Sequence, residues 1–193
     1  DFEDIYTEGI TQITKEDMMY AKEMKMTIKL LASSKRDGDH LHAIVAPALL
    51  GNEHPLYSVN GVFNAVFVNG NMLGDAMFYG SGAGKLPTAS AVVADVVDEA
   101  KHLHRNIMTM WKEEKLQLED KADSKRRFFV RIKGDKEKLI PQLKESYGEI
   151  EVVNVPELED EFGFVTPVMM EGDYETRSKL YKEQIVHMIR IQD

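Results

Sequence analysis

The sequence predicts an α+β protein in which a mixed β-sheet with helices on one face is followed by a βαββαβ unit of the ferredoxin-like type. Three observations predict this fold class. Two β-prone runs flank Asp37-Gly38, apolar residues recur at helical spacing from Pro87 to about His104, and the chain beyond residue 126 reads strand, helix, strand, strand, helix, strand. We place the first part at residues 1–106, a charged helix or linker at 107–125, and the second part at 126–193.

The first elements carry local start and turn signals. Residues 2–13 indicate a short strand or turn, and Thr14 with Asp17 three positions later predicts a helix that begins with a near capping box. Asp37-Gly38 predicts a hairpin between the two β-prone runs. Pro47 in the second run predicts that this strand ends there or lies along a sheet edge.

The middle of the chain is the most apolar. From Val62 to Val68 the side chains are nearly all apolar, a pattern typical of a strand covered on both faces. The run from Pro87 to His104 predicts an amphipathic helix with proline in its first turn. Residues 106–125 are sharply more charged and predict a helix that frays into a linker.

The second part supplies six further elements in a βαββαβ order. The predicted strands and helices, in chain order, are 127–133, 136–148, 149–155, 161–170, 173–183 and 185–191.

Composition and charge exclude some classes of protein. The net charge of −9 argues against a nucleic-acid partner, because binding phosphates requires a basic face. The absence of cysteine excludes disulfides, and we find neither an apolar run long enough to span a bilayer nor a signal-peptide pattern. We therefore expect no membrane partner and a cytoplasmic protein. The start at Asp1, within sequence that indicates ordered structure, suggests a piece cut from a longer protein.

The stretch YGSGAGKLPTAS, residues 79–90, is the candidate binding motif. Gly80, Gly82 and Gly84 precede a predicted helix, and such a loop can direct several backbone N–H groups at one anion. Its spacing fits neither the Walker A motif nor the G-x-G-x-x-G fingerprint. A tight strand-to-helix turn, in which backbones pack closely, explains the same glycines.

Together with EGIT, IKLLA, residues 55–96 and the terminal βαββαβ unit, this stretch resembles homoserine dehydrogenase. The resemblance covers the later part of that family's catalytic and dimerisation domain and its C-terminal ACT domain. The segment from Gly61 to Asp95, with its G-x-G-A-G-x-x-P-T-A run, is the most specific part.

The resemblance implies an oxidoreductase of threonine, methionine and isoleucine biosynthesis. This family interconverts L-homoserine and L-aspartate 4-semialdehyde with NADP or NAD as the hydride carrier. In the family the glycine run lies beside the dinucleotide. Carried over, the resemblance implies cofactor-binding roles for Gly80, Gly82, Ala83, Gly84 and Thr88.

The resemblance also implies that this chain lacks the family's chemistry. Nothing in it resembles the N-terminal dinucleotide-binding domain, and the family's catalytic lysine and substrate-holding acids belong upstream of Glu8. We expect no catalytic residue and no activity from this piece alone. We also expect no metal site, because the histidines are scattered and His102 and His104 face different ways on a helix. Lys85 is expected to be solvated or phosphate-facing, and Glu8 to be a buried or interfacial carboxylate.

The second part resembles an ACT domain, which in this family suggests an amino-acid effector such as threonine. Its first strand-to-helix loop reads Gly134-Asp135 in place of the usual small Pro-Gly pair, so we favour a structural or oligomerising role. We expect a homodimer, because β-sheet left exposed in the first part would pair with a second copy. Two alternatives remain: an amino-acid-sensing module, and an assembly module without a ligand.

Overall fold

The computed structural model describes residues 2–106, 108, 110 and 116–192. These residues form two compact units: the first takes those up to His54 and from Leu116 onward, and the second takes those in between. The strands, in chain order, are β1 (Tyr6–Thr7), β2 (Met26–Asp37), β3 (His40–Gly51), β4 (Phe63–Gly70), β5 (Gly74–Ser81), β6 (Gln117–Leu118), β7 (Lys125–Lys133), β8 (Glu151–Val153), β9 (Glu161–Val165), β10 (Met169–Met170) and β11 (Ile185–Gln192). The α-helices are α1 (Lys15–Glu23), α2 (Lys85–Lys101), α3 (Lys136–Tyr147) and α4 (Glu171–Ser178).

Helix α1 begins where the sequence predicts. The side-chain oxygen of Thr14 accepts a hydrogen bond from the Asp17 backbone N–H, and the Asp17 carboxylate accepts one from the Thr14 N–H at 2.8 Å. Both halves of the capping box are present, so two amide groups that the helix leaves unpaired are satisfied. The predicted helix start is confirmed.

The predicted hairpin at Asp37-Gly38 is also confirmed. Strands β2 and β3 pair antiparallel from Met26 opposite Gly51 to Asp37 opposite His40, which leaves Gly38 and Asp39 as the loop. Gly38 has a φ of +61°, a left-handed conformation that glycine adopts without steric cost.

The prediction for Pro47 was wrong. Strand β3 continues through it to Gly51 and is a central strand, paired with β2 on one side and with β1 and β11 on the other. Strand β1 pairs with β3 at Ile44 and Val45, and β11 pairs with it at residues 48–50. Residue 47 falls between these two pairings, which is where a residue without an N–H can be tolerated.

The predicted βαββαβ order is confirmed. Strands β11, β7, β9 and β8 are neighbours in that order, and every neighbouring pair is antiparallel. Helix α3 connects β7 to β8 and α4 lies between β9 and β11, as in a split βαβ arrangement. The predicted strand at 161–170 divides into β9 and the short β10.

The sheet of the first unit contains strands from both predicted parts of the chain. Strand β11 also pairs in parallel with β3, with Arg190 opposite Ala48, so strands from both predicted parts share one sheet. The second unit interrupts the first in sequence between His54 and Leu116.

The sheet of the first unit carries helices on both faces, whereas one face was predicted. Alternate β7 residues enter two separate cores because successive side chains of a strand point to opposite sides. Phe128 packs with Leu143 of α3 and Tyr174 of α4, and Phe129 packs with Tyr20 of α1.

The second unit consists of the hairpin β4–β5 and helix α2. The expectation that the strand at 62–68 is covered on both faces was wrong: Val62, Phe63, Val66 and Val68 are each at least 41% exposed. The hairpin is a two-stranded sheet, and α2 buries none of its own residues. Two strands and one helix do not supply enough surface to cover this apolar run.

Part of the predicted helix or linker at 107–125 lies outside the described residues. The described residues of this range show no α-helix: β6 pairs with β3, a 3-10 turn covers Lys121–Asp123, and β7 begins at Lys125. Among the described residues, none of the helices is both long and apolar enough for a membrane span.

Candidate functional site

The glycine stretch forms the turn between β5 and α2. Gly80 is in the last residues of β5, Gly82 to Gly84 make the turn, and Thr88 lies in the first turn of α2. All five predicted cofactor-binding residues are exposed, and the structure brings them together at one end of the hairpin.

The backbone of this turn is held by two hydrogen bonds. The Gly82 N–H donates to the Val62 carbonyl at 3.2 Å, and the Thr88 N–H donates to the Gly84 carbonyl at 3.1 Å. Stacking of Phe63 on Tyr79, with ring centroids 4.9 Å apart, supports the adjacent strand ends. No side chain among the described residues caps α2, so the N–H groups of its first turn form a partly positive surface.

The three glycines differ in whether the described fold requires a residue without a side chain. Gly84 has a φ of +121°, which a residue with a Cβ rarely adopts. A Cβ on Gly82 would lie 1.7 Å from Nδ2 of Asn64. Gly80 has neither constraint, because its φ is not positive and a Cβ there would meet nothing within 4 Å. The described fold therefore explains Gly82 and Gly84 but leaves open space in front of Gly80.

Two sequence-predicted side chains take defined positions. Lys85 is exposed at the first position of α2. The Glu8 carboxylate accepts hydrogen bonds from Nη1 of Arg190 at 2.8 Å and from the Tyr6 hydroxyl at 3.2 Å. Glu8 was expected to be buried or interfacial, and its side chain is 26% exposed.

The histidines lie apart in the described structure. His40 pairs with Glu119, His102 lies 3.5 Å from Asp98, and His187 is 2.9 Å from Asp17. Within the described ranges, no group of three or more His, Cys, Asp or Glu is arranged to hold a metal ion.

Sequence reasoning missed a buried charge cluster around Arg190. Its guanidinium donates to both oxygens of the fully buried Glu171, the shortest distance being 2.6 Å. The Tyr6 ring lies 5.2 Å from the same guanidinium. Burial alone would lower the pKa of Arg190, but the hydrogen bonds and charges of Glu171 and Glu8 outweigh it and raise the pKa.

A second cluster joins α1 to the sheet. Nη1 of Arg131 donates to Asp17 at 2.7 Å, its other nitrogens donate to both oxygens of Glu161, and Nδ1 of His187 lies 2.9 Å from Asp17. Burial would raise the pKa of Asp17, but hydrogen bonds from His187, Arg131 and the Thr14 backbone lower it to about 2. Asp17 is therefore an ionised, fully buried carboxylate at neutral pH.

A sequence signal for both clusters did exist. Arg131 and Arg190 each interrupt a short apolar strand, in RFFVRIK and HMIRIQ, where a charged residue needs an ion partner once the strand is covered on both faces. The partners could not be identified in this way, since Asp17 is 114 positions from Arg131 in the chain.

Comparison with known proteins gives a consistent result. Residues 1–97 match the family model described as homoserine dehydrogenase. The chain is 44% identical over 107 residues to a homoserine dehydrogenase of Bacillus subtilis and 37% identical over 130 residues to one of Helicobacter pylori. These alignments cover 55% and 67% of this chain but only 25% and 31% of those relatives, so the chain spans well under half of their length.

A solved structure extends the likeness to the whole chain. The crystal structure of a homoserine dehydrogenase from Thiobacillus denitrificans superposes with a TM-score of 0.84 at 28% identity, and it covers all of this chain and 48% of that one. The mixed sheet with its helices is thus a homoserine dehydrogenase architecture. The family model alone matches half of the chain, and the chain belongs to the homoserine dehydrogenase family.

Proposed function

We propose that this chain is part of an NAD(P)-dependent oxidoreductase that interconverts L-homoserine and L-aspartate 4-semialdehyde. The observation that carries the proposal is the family match over residues 1–97, which includes the whole turn from Gly80 to Thr88. The nicotinamide cofactor would supply the hydride chemistry. The chain's own residues would contribute to binding and positioning.

The cofactor contact is proposed at the turn between β5 and α2, through Gly80, Gly82, Ala83, Gly84 and Thr88. An exposed backbone without side chains, followed by an uncapped helix start, suits an anionic group such as a dinucleotide phosphate. The open space in front of Gly80 supports this assignment, because packing within the described fold does not require glycine there.

A substitution at Gly80 tests the contact more cleanly than one at Gly82. Gly80→Ala costs the fold little, since its Cβ would enter open space, whereas Gly82→Ala would displace Asn64. In the full-length parent enzyme, we expect Gly80→Ala to weaken cofactor binding about tenfold, measured by fluorescence titration with NADPH. Gly51→Ala, whose Cβ also meets nothing within 4 Å, is the matched control in the first unit. Unchanged NADPH affinity in Gly80→Ala would contradict the contact.

This chain is proposed to have no dehydrogenase activity alone, because the family's catalytic lysine and substrate acids have no counterpart in it. The test is an assay of NADPH oxidation by aspartate semialdehyde, run on this chain and on its full-length parent. Activity in the parent alone is the expected result. Activity in neither would overturn the enzymatic proposal and favour a binding module.

A homodimer is proposed from the exposed apolar surface of the second unit. Val92, Val93, Val96 and Val97 on α2 are each at least 44% exposed, as are several hairpin side chains. Monomeric soluble proteins rarely leave such a surface uncovered. Light scattering at micromolar concentration should give the mass of two chains, and a monomer would contradict the proposal.

The ACT-like role of the βαββαβ unit is proposed to be structural. Gly134 has a φ of +133°, and the Asp135 carboxylate already accepts hydrogen bonds from the N–H groups of Glu137 and Lys138. These donors are therefore not free for an effector. The alternative, an amino-acid-sensing module, predicts saturable heat when threonine, isoleucine or methionine is titrated into the chain. The structural role predicts none.

A further inference from the structure

A cavity of about 560 Å³ lies entirely within the first unit, away from the glycine turn in sequence. It is lined by the hairpin β2–β3 near Ser33 and Ala43, by the segment from Glu119 to Arg126, and by Ile191 near the end of β11. Its volume is within the range of pockets that hold small ligands.

The described lining of the cavity holds more cationic than anionic side chains, although the chain carries a net charge of −9. Among the described residues, four cationic side chains line it against two carboxylates: Lys35, Lys121, Lys125 and Arg126 against Glu119 and Asp123. Several cationic side chains in the lining of an acidic protein favour an anionic ligand.

Some of these charges are already paired. Glu171 and Glu175 hold Lys121, and His40 pairs with Glu119. Lys35 and Lys125 make no ion pair with a described residue. Two flexible cations at the cavity thus remain available for a ligand.

Arg126 is more buried than Lys35 and Lys125, and its contacts with acceptors are incomplete. Its Nε donates to Oγ of Ser124 at 3.2 Å and lies 3.7 Å from Oε2 of Glu171, a carboxylate that Arg190 already binds. The two terminal nitrogens of Arg126 donate no hydrogen bond to a described residue. Burial lowers the pKa of Arg126, an effect that a bound anion would oppose.

We propose that this cavity binds a small phosphomonoester, with Arg126, Lys125 and Lys35 contacting the phosphate and Ser33 or Ser34 donating from a hydroxyl. A phosphomonoester carries between about 1.5 and 2 negative charges at pH 7, which Lys35 and Lys125 can offset. Arginine offers a planar pair of N–H donors to phosphate oxygens. The apolar side of the cavity, at Ile44 and Ile191, leaves room for the organic part of the ligand.

The test is calorimetric titration of the full chain with glycerol 3-phosphate as the probe. We expect saturable binding, weaker binding of inorganic phosphate, and none of glycerol. Lys35→Gln and Arg126→Gln should each weaken binding about tenfold or more, because each removes a charge-assisted hydrogen bond. Lys138→Gln is the control, because it removes one positive charge, as Lys35→Gln does, from a 79% exposed lysine on α3. It should leave binding unchanged.

Three outcomes would overturn the proposal: no saturable heat at millimolar glycerol 3-phosphate, equal binding of succinate, or an equal loss in Lys138→Gln and Lys35→Gln. Arg126 lies beside the buried Glu171, so its substitution could disturb folding. Lys35 is an exposed residue of the β2–β3 hairpin and makes no ion pair with a described residue. Lys35→Gln should therefore leave folding intact, so that a loss of binding in this variant reports on the cavity.

Discussion

The two compact units of this chain bury their apolar side chains to very different extents. Every fully buried hydrophobic side chain among the described residues belongs to the first unit, where two cores cover the two faces of one sheet. In the second unit the hairpin and α2 keep their valines and most of their aromatic rings exposed. The first unit therefore carries the folding free energy within itself, whereas the second has an apolar surface that suits contact with another protein surface.

The largest expected contrast comes from truncating one phenylalanine in each unit. Phe128→Ala removes a fully buried ring stacked on Tyr174 at 4.5 Å, and we expect a loss of about 3–5 kcal/mol in the free energy of unfolding. Phe78 is 69% exposed, so Phe78→Ala should cost less than about 0.5 kcal/mol. Urea unfolding of both variants measures the difference. A similar loss at Phe78 would show that this ring is buried in solution, as in a dimer.

A second contrast concerns pH. The folded pKa of Asp17 is about 2 against an ordinary 3.8, so its ion pairs stabilise the fold by about 2 kcal/mol above pH 4. This contribution is lost as the pH falls through about 2. Asp17→Asn should remove that part of the pH dependence in a series of urea unfolding curves.

Asp98→Asn is the matched control for Asp17→Asn in the second unit. Asp98 is exposed and lies 3.5 Å from His102, so its loss should change stability by less than about 0.5 kcal/mol. A pH profile of Asp17→Asn parallel to that of the unchanged chain would refute the role of Asp17.

A smaller effect is expected within the second unit. Gly82→Ala should open the end of the hairpin, because the new Cβ must displace the Asn64 side chain, at a cost of about 1 kcal/mol. Faster amide hydrogen exchange in β4 and β5 would report it. Adding Asn64→Ala should restore the protection, and Gly80→Ala should leave it unchanged. If the double variant exchanges as fast as Gly82→Ala, the contact with Asn64 is not the cause.

The smallest effect is expected for a single hydroxyl in the first unit. The Tyr147 hydroxyl is buried without a hydrogen-bond partner among the described residues, so Tyr147→Phe should leave stability unchanged or raise it slightly. The Tyr181 hydroxyl donates to the Gln142 carbonyl at 2.9 Å and contacts Oγ of Ser146 at 2.6 Å. Tyr181→Phe should therefore cost about 1 kcal/mol in thermal unfolding. A larger loss in Tyr147→Phe than in Tyr181→Phe would reverse this assignment.

The elements with local signals could be predicted from the sequence. Thr14 with Asp17 predicted the start of α1, and Asp37-Gly38 predicted the hairpin loop, because capping boxes and tight turns are formed by residues a few positions apart. The βαββαβ order was predicted for the same reason, since each of its strands and helices has its own periodicity.

The arrangement of the sheet could not be predicted in this way. The pairing of β3 with β11 joins residues 48 and 190, and no local pattern records such a partner. For the same reason Pro47 indicated a strand end, although the gap between the β1 and β11 pairings accommodates it. The apolar run at Val62 to Val68 indicated burial on both faces, but among the described residues this run is largely exposed.

For the candidate site, the sequence predicted that the glycines form a turn between a strand and a helix. It did not predict which of them the fold requires to be glycine. The positive φ of Gly84 and the contact of Gly82 with Asn64 depend on three-dimensional structure. The basic cavity was missed entirely, because Lys35 and Arg126 are about ninety positions apart and neither stands out in its local sequence.

The parallel pairing of β3 with β11 also determines when the protein can become stable during synthesis. The ribosome completes β3 long before β11, and the second unit is made between them. Until β11 emerges, one edge of β3 beside β1 is unpaired. Strand β7, which carries Arg131, then lacks its neighbour β11, and Asp17 lacks its contact with His187. Folding of the first unit therefore requires β11 and is dominated by long-range contacts, which makes it slow and leaves the nascent chain open to strand pairing with other chains.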